Sequence, residues 1–143
     1  MTGFIADRLL LFGATGDLAK RMLLPSLAAL DADGLLDPKL EIVGTARSEL
    51  DDQAFRNFAR EALEKFLPGD RRGSTATFLN RLGYQELDAS ALDGYAELAA
   101  KVGPPAQGLA IFLSTAPSLF EATIHGLAHG GLTGANVRIG LEK

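Results

Sequence analysis

The amino-acid sequence predicts an α/β fold, with a doubly wound, mostly parallel sheet of about five to six strands and helices on both faces. Apolar runs typical of strands alternate about five times with segments of helical periodicity, as expected for consecutive strand–helix–strand units. Residues 108–113 are nearly all apolar, which is typical of a strand covered on both faces. With 143 residues, 47% of them hydrophobic, the chain is predicted to form one domain over residues 1–143.

Each element has its own local signal. Strands are expected at residues 9–12, 40–44, 83–87, 108–113 and 136–141. The first helix follows Gly16, and Pro25 within it predicts a kink or a break, because proline lacks the amide hydrogen and crowds the preceding turn. Ser48 and Asp51 have capping-box spacing before the second helix, and another helix is expected to begin at Ser90. The segment 70–82 is weakly helical, and the last helix is expected at residues 118–129.

A glycine turn connects the first strand to the first helix. Gly13 lets the backbone leave the strand in a tight turn, Gly16 removes the Cβ that would block a diphosphate, and Ala19 lets the helix approach the strand. The unpaired N–H groups of the helix then face an anion. The G-x-x-G-x-x-A spacing is a variant of the dinucleotide fingerprint of Rossmann-like folds. An ordinary strand-to-helix turn that binds nothing fits the same residues.

The end of the second strand indicates which coenzyme is preferred. In this fold that strand end lies beside the adenosine ribose, where a carboxylate would accept a hydrogen bond from the 2′-hydroxyl of NAD. Here Arg47 stands at the tip instead, and a guanidinium pairs with a 2′-phosphate. NADP is therefore favoured over NAD, with a solvated loop arginine as the alternative interpretation.

The composition argues against several other functions. A net charge of −4 and the lack of a basic stripe argue against nucleic-acid and membrane partners. The chain has no cysteine, hence no disulfide and no thiol catalysis. No targeting segment is evident, so a cytoplasmic protein is expected. His125 and His129 lie four residues apart but have no glutamate base or third ligand nearby, so no metal site is expected.

Three ordered motifs carry a family resemblance over essentially the whole chain. The first is G-A-T-G-D-L-A-K at residues 13–20, the second I-V-G-T-A-R-S at residues 42–48, and the third R-I-G-L-E-K at residues 138–143. Together they resemble the coenzyme-binding part of glucose-6-phosphate dehydrogenases. The resemblance implies a homo-oligomeric parent enzyme of the pentose phosphate pathway. That enzyme oxidises glucose 6-phosphate to 6-phosphogluconolactone with hydride transfer to NADP.

The resemblance also assigns roles to individual residues. Arg47 would bind the 2′-phosphate, Phe112 would lie beside the coenzyme where the family has tyrosine, and Lys143 would lie where the nicotinamide meets the sugar phosphate and bind that substrate. The diphosphate would be held by Gly13, Ala14, Thr15, Gly16, Asp17, Leu18, Ala19 and Lys20. The chain departs from the family at Thr45, which replaces a tyrosine, and at residues 112–117, where F-L-S-T-A-P stands for Y-L-A-L-P-P.

The family's catalytic segment is absent from this sequence. Family members carry an R-x-D-H-x-L-G-K-E segment that supplies the catalytic histidine, and no such segment occurs in residues 1–143. The expectation is therefore that no catalytic residue lies in this chain, which alone binds NADP without turnover. The alternative is a stand-alone, non-catalytic NADP-binding or sensing module. The reading frame beyond Lys143 distinguishes the two.

Overall fold

A single parallel sheet organises the chain. The computed structural model describes residues 6–37, 39–67, 75–103, 108–134 and 137–141. The five strands are β1 (Arg8–Phe12), β2 (Glu41–Ala46), β3 (Leu82–Glu86), β4 (Leu109–Leu113) and β5 (Val137–Leu141). Their order is β3-β2-β1-β4-β5, and every pair is parallel. This confirms the doubly wound sheet, whose direction of winding reverses at β1.

Helices cover both faces of the sheet, as predicted. They are α1 (Leu24–Ala32), α2 (Asp52–Phe66), α3 (Thr75–Leu79), α4 (Tyr95–Val102) and α5 (Phe120–His129), with a 3₁₀ turn at Pro117–Leu119. Leu11 of β1 packs in a core with α1, α2 and α3, whereas its neighbours Leu10 and Phe12 pack in a core with α4 and α5. Because side chains alternate along a strand, β1 contributes to both cores.

Near Pro25 the helical hydrogen-bonding pattern changes, and the helix does not break. The chain forms a π-helical segment at Ala19–Leu23 that continues directly into α1, with the N–H of Leu24 donating to the carbonyl of Ala19. Pro25 thus lies in the first turn of α1, where its missing N–H is least costly. The wider π turn accommodates the proline, and π segments of this kind are frequent at functional sites.

Two expected helix starts differ in the structure. The α2 helix is capped by Asp51, whose carboxylate accepts from the N–H of Ala54 at 2.7 Å, and the preceding Ser48 takes no part. The α4 helix begins at Tyr95 and not at Ser90, because Ser90 hydrogen-bonds Asp88 in the loop before it. Of the weakly helical segment 70–82, residues 70–74 lie outside the described part, and Thr75–Leu79 forms α3. Among the described residues, no helix has the length and apolar character needed to cross a membrane.

Candidate functional site

A cavity of about 400 Å³ lies at the carboxyl end of the sheet. Its walls come from the loops after β1, β2, β3 and β4. The cavity therefore lies at β1, where the direction of the strand order reverses. Open α/β sheets bind ligands at this position. The lining residues are Phe12, Gly13, Thr15, Gly16, Thr45, Ala46, Arg47, Ser48, Leu87, Asp88, Ala89, Ser90, Ser114, Thr115, Ala116 and Leu119.

Gly13 turns the chain out of β1 in a conformation that favours glycine. Its φ is +75°, and a Cβ here would lie 2.8 Å from the Oγ of Ser114 and 3.1 Å from that residue's carbonyl oxygen. The N–H of Gly13 donates to the carbonyl of Thr45 at 3.0 Å, and its own carbonyl accepts from the N–H of Gly16 at 3.0 Å. A side chain at position 13 would therefore be strained and would also crowd the loop after β4.

The helix after this turn approaches the sheet closely. Ala14 and Ala19 are fully buried, and a Cβ at Gly44 of β2 would lie only 2.7 Å from the Cβ of Ala14. Gly16 is exposed, and its carbonyl accepts from the N–H of Lys20. The backbone N–H groups between these two residues belong to the first helical turn and have no carbonyl acceptor within the helix. They are therefore available to bind an anion.

The charged residues of the motif lie beside this turn. Asp17 is exposed and forms an ion pair with Arg21 at 2.7 Å, one helical turn further on. A carboxylate here would repel a bound diphosphate, and the neighbouring cation offsets that repulsion. Leu18 and Lys20 are half-buried, and neither side chain lines the cavity.

Arg47 immediately follows β2 and is exposed at the cavity. Beside it, the hydroxyls of Ser48 and Thr15 lie 3.4 Å apart, which joins the β2 loop to the glycine turn. The hydroxyl of Tyr84 donates to the backbone carbonyl of Ser48 at 2.8 Å and fixes this loop from below. One guanidinium and two hydroxyls therefore face the same region, a donor set that suits a phosphate.

A carboxylate lines the cavity after β3. One oxygen of Asp88 accepts from the hydroxyl of Ser90 at 2.6 Å and from its N–H at 3.0 Å. These hydrogen bonds, with a smaller contribution from the charge of Arg47, lower the pKa of Asp88, so the carboxylate is ionised at neutral pH. The next residue, Ala89, accepts a hydrogen bond from the buried hydroxyl of Tyr95 at 2.8 Å.

The fourth wall comes from the loop after β4. The hydroxyl of Ser114 donates to the carbonyl of Phe12 at 2.6 Å. The hydroxyl oxygen of Thr115 is buried and has no hydrogen-bond partner within the described residues. Buried hydroxyl groups ordinarily have a hydrogen-bond partner. Because Thr115 lines the cavity, a polar molecule bound there could supply that partner.

The structure brings some predicted site residues together and leaves others apart. Gly13, Thr15, Gly16 and Arg47 line one cavity. Phe112 is half-buried, packs against the core that contains α1, and does not line the cavity. Lys143 lies outside the described residues.

Sequence reasoning missed the loops after β3 and β4. Their contributions, Asp88, Ser90, Ser114 and Thr115, each follow a predicted strand directly or within a few residues. Their position after predicted strands could have identified them as candidate site residues, since the carboxyl ends of parallel strands meet at one edge of the sheet.

A sequence model of the family described as glucose-6-phosphate dehydrogenase, NAD binding domain, matches residues 10–143. The chain belongs to this family. Its coenzyme class is accordingly a nicotinamide dinucleotide.

Relatives in this family are considerably longer than the chain. Glucose-6-phosphate 1-dehydrogenase from Zymomonas mobilis is 52% identical over an alignment of 137 residues, which covers 94% of this chain and 28% of the relative. The crystal structure of the enzyme from Mycobacterium avium superposes with a TM-score of 0.84 at 30% identity, covering 99% of this chain and 30% of that one. A glucose-6-phosphate dehydrogenase in complex with its substrate gives a TM-score of 0.79 at 26% identity, covering 99% of this chain and 31% of that one. The chain thus spans less than a third of these relatives.

Proposed function

We propose that this chain binds NADP as the coenzyme-binding domain, residues 1–143, of an enzyme that oxidises glucose 6-phosphate to 6-phosphogluconolactone. The observation that carries the coenzyme choice is Arg47, which is exposed directly after β2 in the same cavity as the glycine turn. No carboxylate follows β2 directly; the next residues are Arg47 and Ser48. A 2′-phosphate at this point meets a cation and not a repelling anion.

Each part of the coenzyme has a proposed partner. The glycine turn at Gly13 and Gly16, with the amides that follow it, holds the diphosphate. Arg47 pairs with the 2′-phosphate, assisted by the hydroxyls of Thr15 and Ser48, which lie 3.4 Å apart. The nicotinamide half is proposed to extend past the loop after β4, with Lys143 at its contact with the sugar phosphate, as the family resemblance implies. When bound, the coenzyme supplies the hydride acceptor of the reaction.

The remaining chemistry is assigned to the part of the relatives that this chain does not span. A general base must reach the sugar hydroxyl from within hydrogen-bond distance. Neither histidine of the chain lines the cavity, and His125 is exposed on α5, with its imidazole 3.9 Å from the carboxylate of Glu121. The chain's role is therefore to bind and orient the coenzyme, without turnover by itself.

The coenzyme assignment is tested by calorimetric titration of the chain with NADP and NAD. Replacing Arg47 by alanine should weaken NADP binding by about 1 to 3 kcal/mol, which is about five- to 150-fold, because a charge-assisted contact is lost. NAD affinity should change little. The matched control is Arg60→Ala, which removes an exposed arginine of α2 that does not line this cavity.

Three results would contradict different parts of the proposal. Unchanged NADP affinity in Arg47→Ala would overturn the 2′-phosphate assignment alone, whereas failure of the chain to bind either dinucleotide would overturn the function as a whole. Formation of NADPH from glucose 6-phosphate and NADP by the chain alone would show that the catalytic base does lie within residues 1–143.

A further inference from the structure

A second cavity, of about 280 Å³, lies between α2 and α3, and none of the described residues lines both this cavity and the candidate site. Two of its lining residues, Leu63 and Leu79, are buried and apolar. Most of the others are polar: Gln53, Arg56, Arg60 and Glu64 on α2, Thr75 on α3, and Asn80 directly after α3. The proposed binding of the coenzyme uses none of them.

Two arginines of this cavity lie one helical turn apart. Arg56 and Arg60 occupy positions i and i+4 of α2, so their side chains lie on the same face of the helix. Like charges in this arrangement repel each other and destabilise a helix. Among the described residues, neither arginine forms an ion pair. Glu64 is the one carboxylate among the described lining residues, so the cations outnumber it by two to one.

Each guanidinium group is oriented by one hydrogen bond to the protein. The Nε of half-buried Arg56 donates to the carbonyl of Leu82 at 2.9 Å, and Nη1 of Arg60 donates to Oδ1 of Asn57 at 2.7 Å. Because an arginine carries five N–H donors, both residues retain donors for a ligand. A guanidinium group held in this way presents paired N–H groups to the oxygens of a planar or tetrahedral anion.

The size and charge of the cavity indicate a small phosphorylated ligand. Its volume lies just below the range of about 300 to 1,000 Å³ that is typical of small-molecule sites, which suits a phosphate group with a few further atoms. A phosphate ester carries roughly 1.5 to 2 negative charges at neutral pH, and two arginines match that charge better than they match one carboxylate. The amides of Gln53 and Asn80 and the hydroxyl of Thr75 can hydrogen-bond neutral polar groups of such a ligand.

We propose that Arg56 and Arg60 form a second anion site, which binds the phosphate group of a small phosphate monoester or free phosphate. The two guanidinium groups contact the phosphate oxygens, and Gln53 and Asn80 face the remainder of an ester. The bound anion removes the repulsion between the arginines and stabilises the folded chain, as does any ligand that binds the folded state alone. Through the hydrogen bond from Arg56 to Leu82, it also stabilises the start of β3.

An NMR titration of the ¹⁵N-labelled chain tests this proposal, because it reports on the two cavities separately. The probes are inorganic phosphate and glycerol 2-phosphate, with sodium chloride at matched ionic strength as the control for screening. Amide signals of α2 and α3 should shift and saturate with both phosphate probes and not with chloride. Shifts at Gly13 and Gly16 identify any phosphate that binds the candidate site. Tighter binding of glycerol 2-phosphate would support an ester as the ligand, and equal affinities would support free phosphate.

Arg60→Gln is the test variant, because this exposed residue can be replaced without loss of the hydrogen bond from Arg56 to Leu82. The affinity of phosphate for α2 and α3 should fall about tenfold, as expected for the loss of one charge-assisted contact at an exposed site. Lys65→Gln is the matched control. It removes the same charge from an exposed position of the same helix that does not line the cavity, so phosphate should bind this variant as tightly as the wild type.

Three results would overturn the proposal. Shifts in α2 and α3 that chloride reproduces would show screening and not binding, and an equal loss of affinity in both variants would assign the binding to net charge. A response of Gly13 and Gly16 without any response of α2 and α3 would restrict phosphate binding to the candidate site. All three results would leave the coenzyme assignment standing, because that assignment is tested by the titrations of Arg47→Ala with NADP and NAD.

Discussion

The hydroxyl of Tyr95 donates a 2.8 Å hydrogen bond to the backbone carbonyl of Ala89, which lines the candidate site. Tyr84 makes the corresponding bond to the carbonyl of Ser48 at 2.8 Å. These are the two tyrosines of the chain, and they lie in the two separate cores on opposite faces of the sheet. These two loops of the candidate site are therefore attached to different packed cores.

Replacing Tyr95 by phenylalanine should test whether this attachment matters for binding. The ring remains in its core, but the carbonyl of Ala89 loses its donor, so the free energy of unfolding should fall by about 1 kcal/mol. NADP and NAD should both bind roughly threefold more weakly, because the loop after β3 loses part of its order. Urea denaturation followed by circular dichroism and calorimetric titration measure the two effects.

Tyr84→Phe is the matched comparison for this experiment. It loosens the loop that carries Arg47 and Ser48, so it should weaken NADP more than NAD. The proposed coupling between cores and loops would be wrong if both variants lost stability with no change in either affinity.

The ionisation of Tyr84 predicts a loss of stability at alkaline pH. Burial, with a smaller contribution from the charge of Glu86, raises the pKa of Tyr84 from 10 to about 12. The folded state therefore retains the phenolic proton where the unfolded state has already lost it. The stabilisation is complete below pH 10 and disappears as the pH rises to about 12.

Urea denaturation at a series of pH values through this interval measures that loss. Tyr84→Phe has no titrating hydroxyl, so its free energy of unfolding should fall less steeply with pH than that of the wild-type chain. Burial also raises the pKa of Tyr95, so part of the slope should persist in the variant. Identical slopes for the two proteins would show that Tyr84 titrates normally.

Local patterns were sufficient to predict the sheet, the glycine turn and the position of Arg47. Strand periodicity and the order of elements determine a doubly wound sheet, and a glycine turn after the first strand then falls at its switch point. The capping-box pattern also contained the α2 cap, but at Asp51, whose carboxylate accepts from the N–H of Ala54, and not at Ser48 as expected. In these places the sequence neighbours of a residue are also its partners in space.

Local patterns failed where the partner is chosen by tertiary structure. Ser90 has a residue type and position that suit a helix cap. Its hydroxyl and N–H instead donate hydrogen bonds to the nearby carboxylate of Asp88, because a serine side chain readily hydrogen-bonds groups close to it in the sequence. Tyr84 and Tyr95 look like ordinary core aromatics. The hydrogen-bond partner of each hydroxyl depends on which loop packs beside its core. The strand order determines that packing, and the spacing of residues along the chain does not.

Gly44→Ala should damage both the fold and the site. A Cβ at this position would lie 2.6 Å from the ring of Phe55 and 2.7 Å from the Cβ of Ala14, which belongs to the glycine turn. Relief requires displacement of a buried ring or of the turn itself, so the free energy of unfolding should fall by about 1 to 3 kcal/mol. Dinucleotide affinity should fall as well.

Gly134→Ala is the control, because no heavy atom of the described residues, apart from its own chain neighbours, lies within 4 Å of the Cβ it would add. Its stability should stay within about 0.5 kcal/mol of wild type. Thermal or urea denaturation measures the stability of the two variants under the same conditions. Equal stability would mean that β2 and the glycine turn are not as close as described.

The outer edge of β3 depends on side chains from α2. As an end strand, β3 leaves backbone groups without a strand partner on one side. Asp52 accepts from the N–H of Tyr84 at 2.7 Å, and Arg56 donates to the carbonyl of Leu82 at 2.9 Å. Lys101 of α4 completes the arrangement by donating to Asp52 at 2.9 Å. These contacts supply partners for two backbone groups of the edge and attach both helices to it.

Asp52→Asn should therefore destabilise the chain in a pH-dependent way. Burial raises the pKa of Asp52, but the hydrogen bonds from Lys101 and from the N–H of Tyr84 outweigh it and hold the pKa below its ordinary value of 3.8. A depressed pKa stabilises the folded state above the ordinary value, and the stabilisation is lost as the pH falls through the folded value. Because solvent reaches this pair, the expected loss at neutral pH is about 1 kcal/mol. In urea denaturation the variant and the wild type should converge below pH 3.8, where the wild-type carboxylate also becomes protonated. A difference that persisted unchanged in acid would assign the loss to packing instead of charge.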